Sequence, residues 1–248
     1  MRYYAITKLF IIVPLLTLYV IASMFITESK WWILFGFIMY FPLHQLGFNI
    51  GVHKLLTHRA FKPNTWYPYL AVFISSICFY GDPLFNVLTH RLHHKYSDTD
   101  KDPHSPTKGR WHAFAGWMLT YKPPSNPSRY LIDVGRDYKF LKTYSKIEFA
   151  VPIIFYLTLY LISNELFLVV LLGALLSLYN GLFTNTFSHD PKRMEIRNNK
   201  FLARFVNSSF MHEFHHDSPG EYDYSHDGVK DYSAYFIAKF LTKYETLD

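Results

Sequence analysis

Histidine is the residue type whose number and spacing could do chemistry in this chain. Of 13 histidines, nine fall into three groups and one isolated position: His53 and His58; His90, His93 and His94; His189; His212, His215 and His216. Residues at i, i+3 and i+4 share one face of a helix, so each His-x-x-His-His group can aim three imidazoles at one point. His53 and His58 lie about 140° apart on a straight α-helix, which predicts that they flank a site or reach different metals. A structural zinc takes four protein ligands and a catalytic zinc three, so these imidazoles are too many for one ion and imply two metals. Imidazole suits several transition metals, and ligand type alone does not choose among them. Iron follows only if the substrate is an alkyl chain, whose unactivated C–H bonds need a strongly oxidising centre. Metal-bound imidazoles also need outer acceptors to fix their tautomers, and Asp98, Asp100, Asp102, Asp190, Glu213 and Asp217 are close enough in sequence to serve. His44 sits inside an apolar run and is expected to line a cavity or a helix contact. His104, His112 and His226 lack partner groups and are read as cap surface.

The elements that must position these groups are apolar helices. Runs at 6–26 and 31–52 are long enough to span a bilayer and are joined by only Thr27 to Lys30, which predicts a transmembrane hairpin with Trp31 and Trp32 at the interface. The first run is read as an anchor and not as a cleaved signal segment. A second hairpin is expected at 149–162 and 166–183. If the histidine groups share one site, the number of crossings between each pair must be even, so the apolar run Trp66 to Tyr80 should dip or lie flat. With both hairpins in place Lys30 is the only one of the 25 Lys and Arg residues on the far side, which puts the histidines on the cytoplasmic face. The expected fold is therefore an all-α integral-membrane protein, with four transmembrane helices in two hairpins. A cytosolic helical cap, formed by about 53–148 and 189–248, holds a di-metal site, and 1–248 form a single domain.

Composition agrees. Half the residues are apolar and 18% charged, yet the mean hydropathy is only +0.02, so a polar part must lie outside the bilayer. The net charge of +6 is not gathered into a stripe, which argues against a nucleic-acid partner and for attraction to a membrane surface. Cys78 is the only cysteine, excluding an internal disulfide and a thiolate zinc site.

The segment Gly51-Val-His-Lys-Leu-Leu-Thr-His-Arg-Ala-Phe61, followed by His90-Arg-Leu-His-His-Lys-Tyr-Ser-Asp-Thr-Asp-Lys-Asp-Pro-His-Ser-Pro106, resembles the membrane acyl-CoA and acyl-lipid delta-9 desaturases of the stearoyl-CoA desaturase type. The resemblance covers about Ile50 to Trp117 and weakens towards the third histidine group. It implies a four-helix base with a cytosolic cap and two irons bound by His53, His58, His90, His93, His94, His189, His212, His215 and His216. Asn185, four residues before His189, would contact a metal through water. It further implies dioxygen as co-substrate and removal of two hydrogens from adjacent methylenes of a long acyl chain carried on CoA, a carrier protein or a glycerolipid. Electrons would come from a separate donor of cytochrome b5 or ferredoxin type, because 248 residues leave no room for a fused cytochrome domain. The membrane would be a bacterial inner membrane or an endoplasmic reticulum. An acyl chain gains about 0.8 kcal/mol per buried CH₂, and the 19% aromatic content can line its tunnel. Arg59 and Lys62 could meet phosphates of its head group.

Two departures concern the substrate more than the metals. Asn86 stands where the family usually has tryptophan, and Met211-His-Glu-Phe-His-His216 replaces its usual Trp-His-Asn-Asn-His-His. A di-iron hydroxylase uses the same metal chemistry and is the alternative enzyme. A metal transporter would need polar groups through its spans, where only His44 and a few hydroxyls occur.

Overall fold

The computed structural model describes residues 8–190 and 195–242. Ile6 and Thr7 of the first expected span lie outside the described residues, as do 191–194 and 243–248 of the expected cap. Three helices are long and apolar enough to cross a membrane: α1, Lys8–Ile26; α2, Trp31–Thr57; and, further along, Asn164–Ser188. Before that last helix come α3, Tyr67–Ile77; α4, Pro83–Tyr96; α5, Phe140–Ile147; and α6, Ala150–Ile162. The helices α5 and α6 are bent by 61° at their junction and make a fourth candidate span if taken together. Asn164–Ser188 is α7, followed by a two-residue strand β1, His189–Asp190, antiparallel to β2, Glu195–Ile196. The short helices α8, Lys200–Phe205; α9, His212–Asp217; and α10, Tyr232–Phe236, complete the described chain.

The apolar helices differ in what surrounds them. Only 17% of the most apolar window of α1 is buried, against 61% for α7, so α7 is the central helix and α1 a peripheral one. Leu18 and Phe25 on α1, Leu34 and Phe37 on α2, and Ile154 and Leu161 on α6 all face outward. So many exposed large side chains on three apolar helices suit lipid and not water. Packing of α2 against α7 is close: a Cβ on Gly173 would stand 2.9 Å from the backbone nitrogen of Tyr40, so only glycine fits there. At 11 residues α3 is about 16 Å long, shorter than a hydrocarbon core of about 30 Å, and it packs along α2.

One boundary moves: the second apolar helix does not stop at Val52 but runs on to Thr57, so His53 is on that helix and His58 is the residue that caps its end. Residues Leu43–Thr57 are also wound more widely than an α-helix, in an i→i+5 pattern, illustrated by the bond from the His58 N–H to the His53 carbonyl at 3.1 Å. Such wide turns occur chiefly at functional sites.

A buried ion pair ties α2 to the C-terminal part of the chain. Lys54, fully buried, donates to Asp231 Oδ2 at 2.6 Å, to Ser233 Oγ at 2.7 Å and to the Tyr222 carbonyl at 2.9 Å, and lies over the Tyr224 ring. Asp231 also accepts from Ser208 Oγ at 2.8 Å. Removing one partner leaves the other charged and buried, so Asp231→Ala is expected to lower stability by about 3–5 kcal/mol, read as a fall in the melting temperature in detergent. The paired change Lys54→Met with Asp231→Ala should recover most of that loss.

Candidate metal centre

The three histidine groups converge although they arise from α2, α4, the end of α7 and α9. His90, His93 and His94 lie on α4, whose first turn is capped by the Asp82 carboxylate accepting from the Leu84 N–H at 2.9 Å. His212, His215 and His216 lie on α9, and His189 opens β1. The nine imidazoles sort into two sets. In the first, the Nε2 atoms of His53 and His215 are 3.0 Å apart, those of His215 and His94 2.9 Å, and those of His94 and His90 3.1 Å. The His58 ring lies 4.6 Å from those of both His94 and His215, and the ligand atoms of His53, His58, His90 and His215 fall within 4.8 Å of one another. In the second set the Nε2 atoms of His93 and His216 are 3.2 Å apart, those of His216 and His212 3.2 Å, and those of His212 and His189 3.1 Å.

His53 and His58 therefore point into the same set and not to different metals. The α-helical estimate of about 140° between them fails because the i→i+5 winding brings residues five apart back over one another. Their rings stand 5.0 Å apart.

Outer contacts fix which nitrogen faces inward. His93 Nδ1 lies 2.9 Å from Asp102 Oδ2, both side chains fully buried, and His189 Nδ1 lies 3.1 Å from Asp98. Burial pushes the Asp102 carboxyl up to about 7; when it and Asp98 are ionised they only accept, and both rings then carry their proton on Nδ1 and present a bare Nε2. His216 and His212 must then donate to His93 and His189 respectively, which sets two N–H groups against each other at 3.2 Å. With both carboxylates ionised, no neutral tautomer assignment satisfies all three contacts of this set, whereas a cation at their focus satisfies all four nitrogens. His58 Nε2 and Asn185 Oδ1 are likewise buried without a partner, while the Asn185 amide donates to the His104 carbonyl at 3.1 Å.

Neighbouring nitrogens 2.9–3.2 Å apart are close enough for two of them to bind one ion at about 2.1 Å each. Burial, followed by the Arg91 charge, pushes His58 down to about 3; burial, followed by neighbouring imidazoles, takes His216 down to about 2 and His90, His93, His94, His212 and His215 below their usual range. These seven rings are thus neutral at pH 7, the form that binds metal.

Of the carboxylates expected as outer acceptors, only Asp98 and Asp102 reach imidazoles. Asp98 adopts φ +61°, a left-handed turn that aspartate tolerates, and its N–H donates to Asp102 Oδ2 at 3.1 Å, locking both acidic groups on one loop. Asp190 pairs instead with Arg197 at 2.6 Å, Glu213 accepts from Asn198 at 3.1 Å, and Asp217 is exposed. Asp100 is exposed and carries Lys108 on its backbone carbonyl. The acceptor that sequence spacing missed is Tyr224, whose hydroxyl lies 2.8 Å from His215 Nδ1. It comes from a loop with no periodic signal. Loss of such a partner typically costs 10–100-fold in metal affinity, so Tyr224→Phe is expected to weaken one metal by about that factor in a chelator competition.

His104 is also not cap surface. It is buried, its ring 4.3 Å from that of His93, and with His93 and Asp102 it forms a third group of close ligand atoms. His112 hydrogen-bonds the Pro103 carbonyl at 3.2 Å, and His226 is exposed and stacks on Phe214. His44 is fully buried in the span, with Nε2 2.9 Å from the Asn180 amide and Nδ1 3.3 Å from Ser177 Oγ.

Beside both sets runs a cavity of about 160 Å³, bordered by His53 and His90 of the first set, His212 of the second, and the aromatic rings of Phe48, Tyr80 and Trp117. His44 and Leu178 border its membrane end. Buried imidazole nitrogens focused on two points beside an aromatic-walled cavity can hold two metal ions against an apolar ligand.

No family model matches the chain. It is 36% identical over 125 residues to an sn-1 stearoyl-lipid 9-desaturase of Anabaena variabilis, covering 48% of this chain and 46% of that protein. It is 34% identical over 102 residues to Delta-9 acyl-lipid desaturase 2 of Arabidopsis thaliana, covering 41% of this chain and 32% of that one. A longer match, 27% identical over 235 residues, is to an acyl-CoA Delta(11) desaturase of Choristoneura rosaceana and covers 87% of this chain and 69% of the relative. The chain thus spans less than half the length of the first two relatives. All three relatives are named as desaturases of acyl chains, and this chain, with its two histidine sets, is similar to the acyl-lipid and acyl-CoA desaturases.

Proposed function

We propose that this protein is a dioxygen-dependent fatty-acyl desaturase that introduces a cis double bond, at the delta-9 position, into a long acyl chain. The observation that carries this reading is the single cavity bordered by histidines of both sets and walled by aromatic rings. The nine histidines, with Asn185 acting through water, would hold two irons, which supply the oxidising power that removal of hydrogen from an alkane requires. Asp98, Asp102 and Tyr224 hold the Nδ1 proton of His189, His93 and His215 and so keep each Nε2 aimed inward. The stacked rings of Phe48 and Tyr80, 4.1 Å apart, and Trp117 against Phe85 at 5.9 Å form flat walls that exclude water and align a chain. Each buried CH₂ contributes about 0.8 kcal/mol to its binding.

In this reading α1, α2, the bent α5–α6 pair and α7 are four spans. Residues of the α2–α5 connection and those after α7 form a cytoplasmic cap within one domain. Two electrons per double bond come from a separate donor of cytochrome b5 or ferredoxin type. Expression in a host lacking its own desaturase, followed by gas chromatography with mass spectrometry of total fatty acids, tests the reading. New cis monoenes are the expected result; hydroxylated chains would make the protein a hydroxylase instead.

A further inference from the structure

The cavity beside the histidines does not end at the aromatic walls. Its far end is bordered by Lys8, Phe79, Gly81, Asp82 and Glu148. Lys8 and Phe79 also border a second cavity of about 180 Å³. That one is lined by Ile12 and Leu16 of α1, Pro152, Ile153 and Tyr156 of α6, and Phe167 of α7. It is an apolar groove between two peripheral spans, and Ile153 at its edge faces outward, where lipid would be. The two spaces share Lys8 and Phe79 as lining, and the Lys8 ammonium stands 3.6 Å from Glu148 Oε2 at the α5–α6 bend. Gly81, at φ +85°, lets the ammonium approach: a Cβ there would stand 2.5 Å from Lys8 Nζ.

Charge decides what this opening admits. Among the described residues lining the inner cavity, Lys8 is the one lysine or arginine, set against two carboxylates, Asp82 and Glu148. Asp82 Oδ2 is buried without a partner. Coenzyme A carries several phosphate charges, and these would meet carboxylates there with Lys8 already paired, an arrangement of like charges that repels. Arg59, a cation that sequence alone offered for phosphates, is engaged with Asp137 and the Tyr138 ring. A chain esterified to a glycerolipid brings only an uncharged ester to this depth and keeps its head group at the bilayer surface.

We propose that the groove between α1 and α6 is a lateral portal, closed by the Lys8–Glu148 pair, through which an acyl chain still attached to a membrane glycerolipid slides from the bilayer to the histidine centre. This rests on the desaturase reading for its consequence, the choice of acyl carrier, but not for the portal itself. The full-length protein in phosphatidylcholine vesicles would be exposed to a phosphatidylcholine bearing a diazirine midway along one acyl chain, and in parallel to the same acyl group as its CoA thioester. After photolysis the labelled residues would be mapped by mass spectrometry.

The lipid probe is expected to label the groove at Leu16 and the inner cavity at Phe48 and Leu178, and the CoA probe to leave the inner cavity unlabelled. Ile153→Trp should lower inner-cavity labelling by the lipid probe about tenfold, the occupancy lost with about two buried methylenes, at unchanged metal content. Ile153→Ala, which only widens the groove, should not lower it. Labelling of the inner cavity by the CoA probe alone, or indifference of the lipid probe to Ile153→Trp, would overturn the portal. Lipid labelling of the inner cavity with no oxidation of the chain by the metal-loaded protein supplied with dioxygen and a reduced ferredoxin or cytochrome b5 would leave the portal standing and sink the desaturase reading.

Discussion

Cells producing the His93→Ala variant in a desaturase-deficient host are expected to make no detectable monoene, a fall of more than about a hundredfold, with bound metal dropping from two ions per chain to one. Losing an outer partner of a metal ligand already costs 10–100-fold in affinity, and losing the ligand costs more. His93 is fully buried, its Nε2 faces His216 at 3.2 Å and its Nδ1 faces Asp102 at 2.9 Å, so alanine also removes one of the partners of a buried carboxyl group. The first set, with five imidazoles of its own, should keep its ion. Metal analysis of the purified variant separates the two sets: two ions still bound, with monoenes still made, would show that His93 does not ligate.

Acidification is expected to destabilise the metal-free protein steeply below about pH 6.5. The sign follows from where protons bind. In the unfolded chain each histidine takes up a proton near the ordinary value of 6.5, whereas in the folded protein burial holds His58 near 3, His104 near 3 and His216 near 2. Between those values the unfolded state binds more protons, so stability is full above pH 6.5 and falls as pH drops through the window. Each such group contributes about 1.4 kcal/mol per pH unit, so these three alone give on the order of 4 kcal/mol per unit. Melting curves of the chelator-treated protein in detergent from pH 7.5 to 5 measure this. Bound metal should flatten the upper part of the profile, because it holds the same nitrogens against protons. A melting temperature indifferent to pH in the metal-free protein would mean that the imidazoles are not buried as the structure has them.

The buried imidazoles also explain the economy of the architecture. A helix end or loop could not hold so many neutral rings edge to edge without either charging them or giving each a hydrogen-bond partner. Here α2 and α4 present rings from rigid helices, while the short α9 is fixed from outside by Asn198, which caps it at the Phe214 N–H, and by the Tyr224 contact. Tyr224 in turn packs on Lys54, so the ion pair that anchors the C-terminal segment and the orientation of His215 are one connected arrangement. Changes at Asp231 should therefore be felt at the first histidine set as well as in stability.

How much of this was written in the sequence depends on the range of the interaction. The i, i+3, i+4 spacing of His90, His93 and His94, and of His212, His215 and His216, placed each group on one helical face, because helix geometry is local. Long apolar runs likewise fixed where spanning helices lie, since their composition alone decides their solvent. The α2 histidines escaped this logic: the wide i→i+5 winding that aligns His53 with His58 is stabilised by packing on α3 and has no signature in spacing. Outer partners escaped it too. Proximity in sequence offered Asp190, Glu213 and Asp217 on the same footing as Asp98 and Asp102. Only the fold sends Asp190 to Arg197, leaves Glu213 and Asp217 outside, buries His104 against His93, and brings Tyr224 to His215. The sequence by itself determined the ligand type, the helical faces and the membrane setting, because these depend on residue chemistry and local period. The tertiary structure alone decided which imidazoles share a focus, which groups orient them and where the cavity opens, because those depend on contacts between residues up to 179 positions apart.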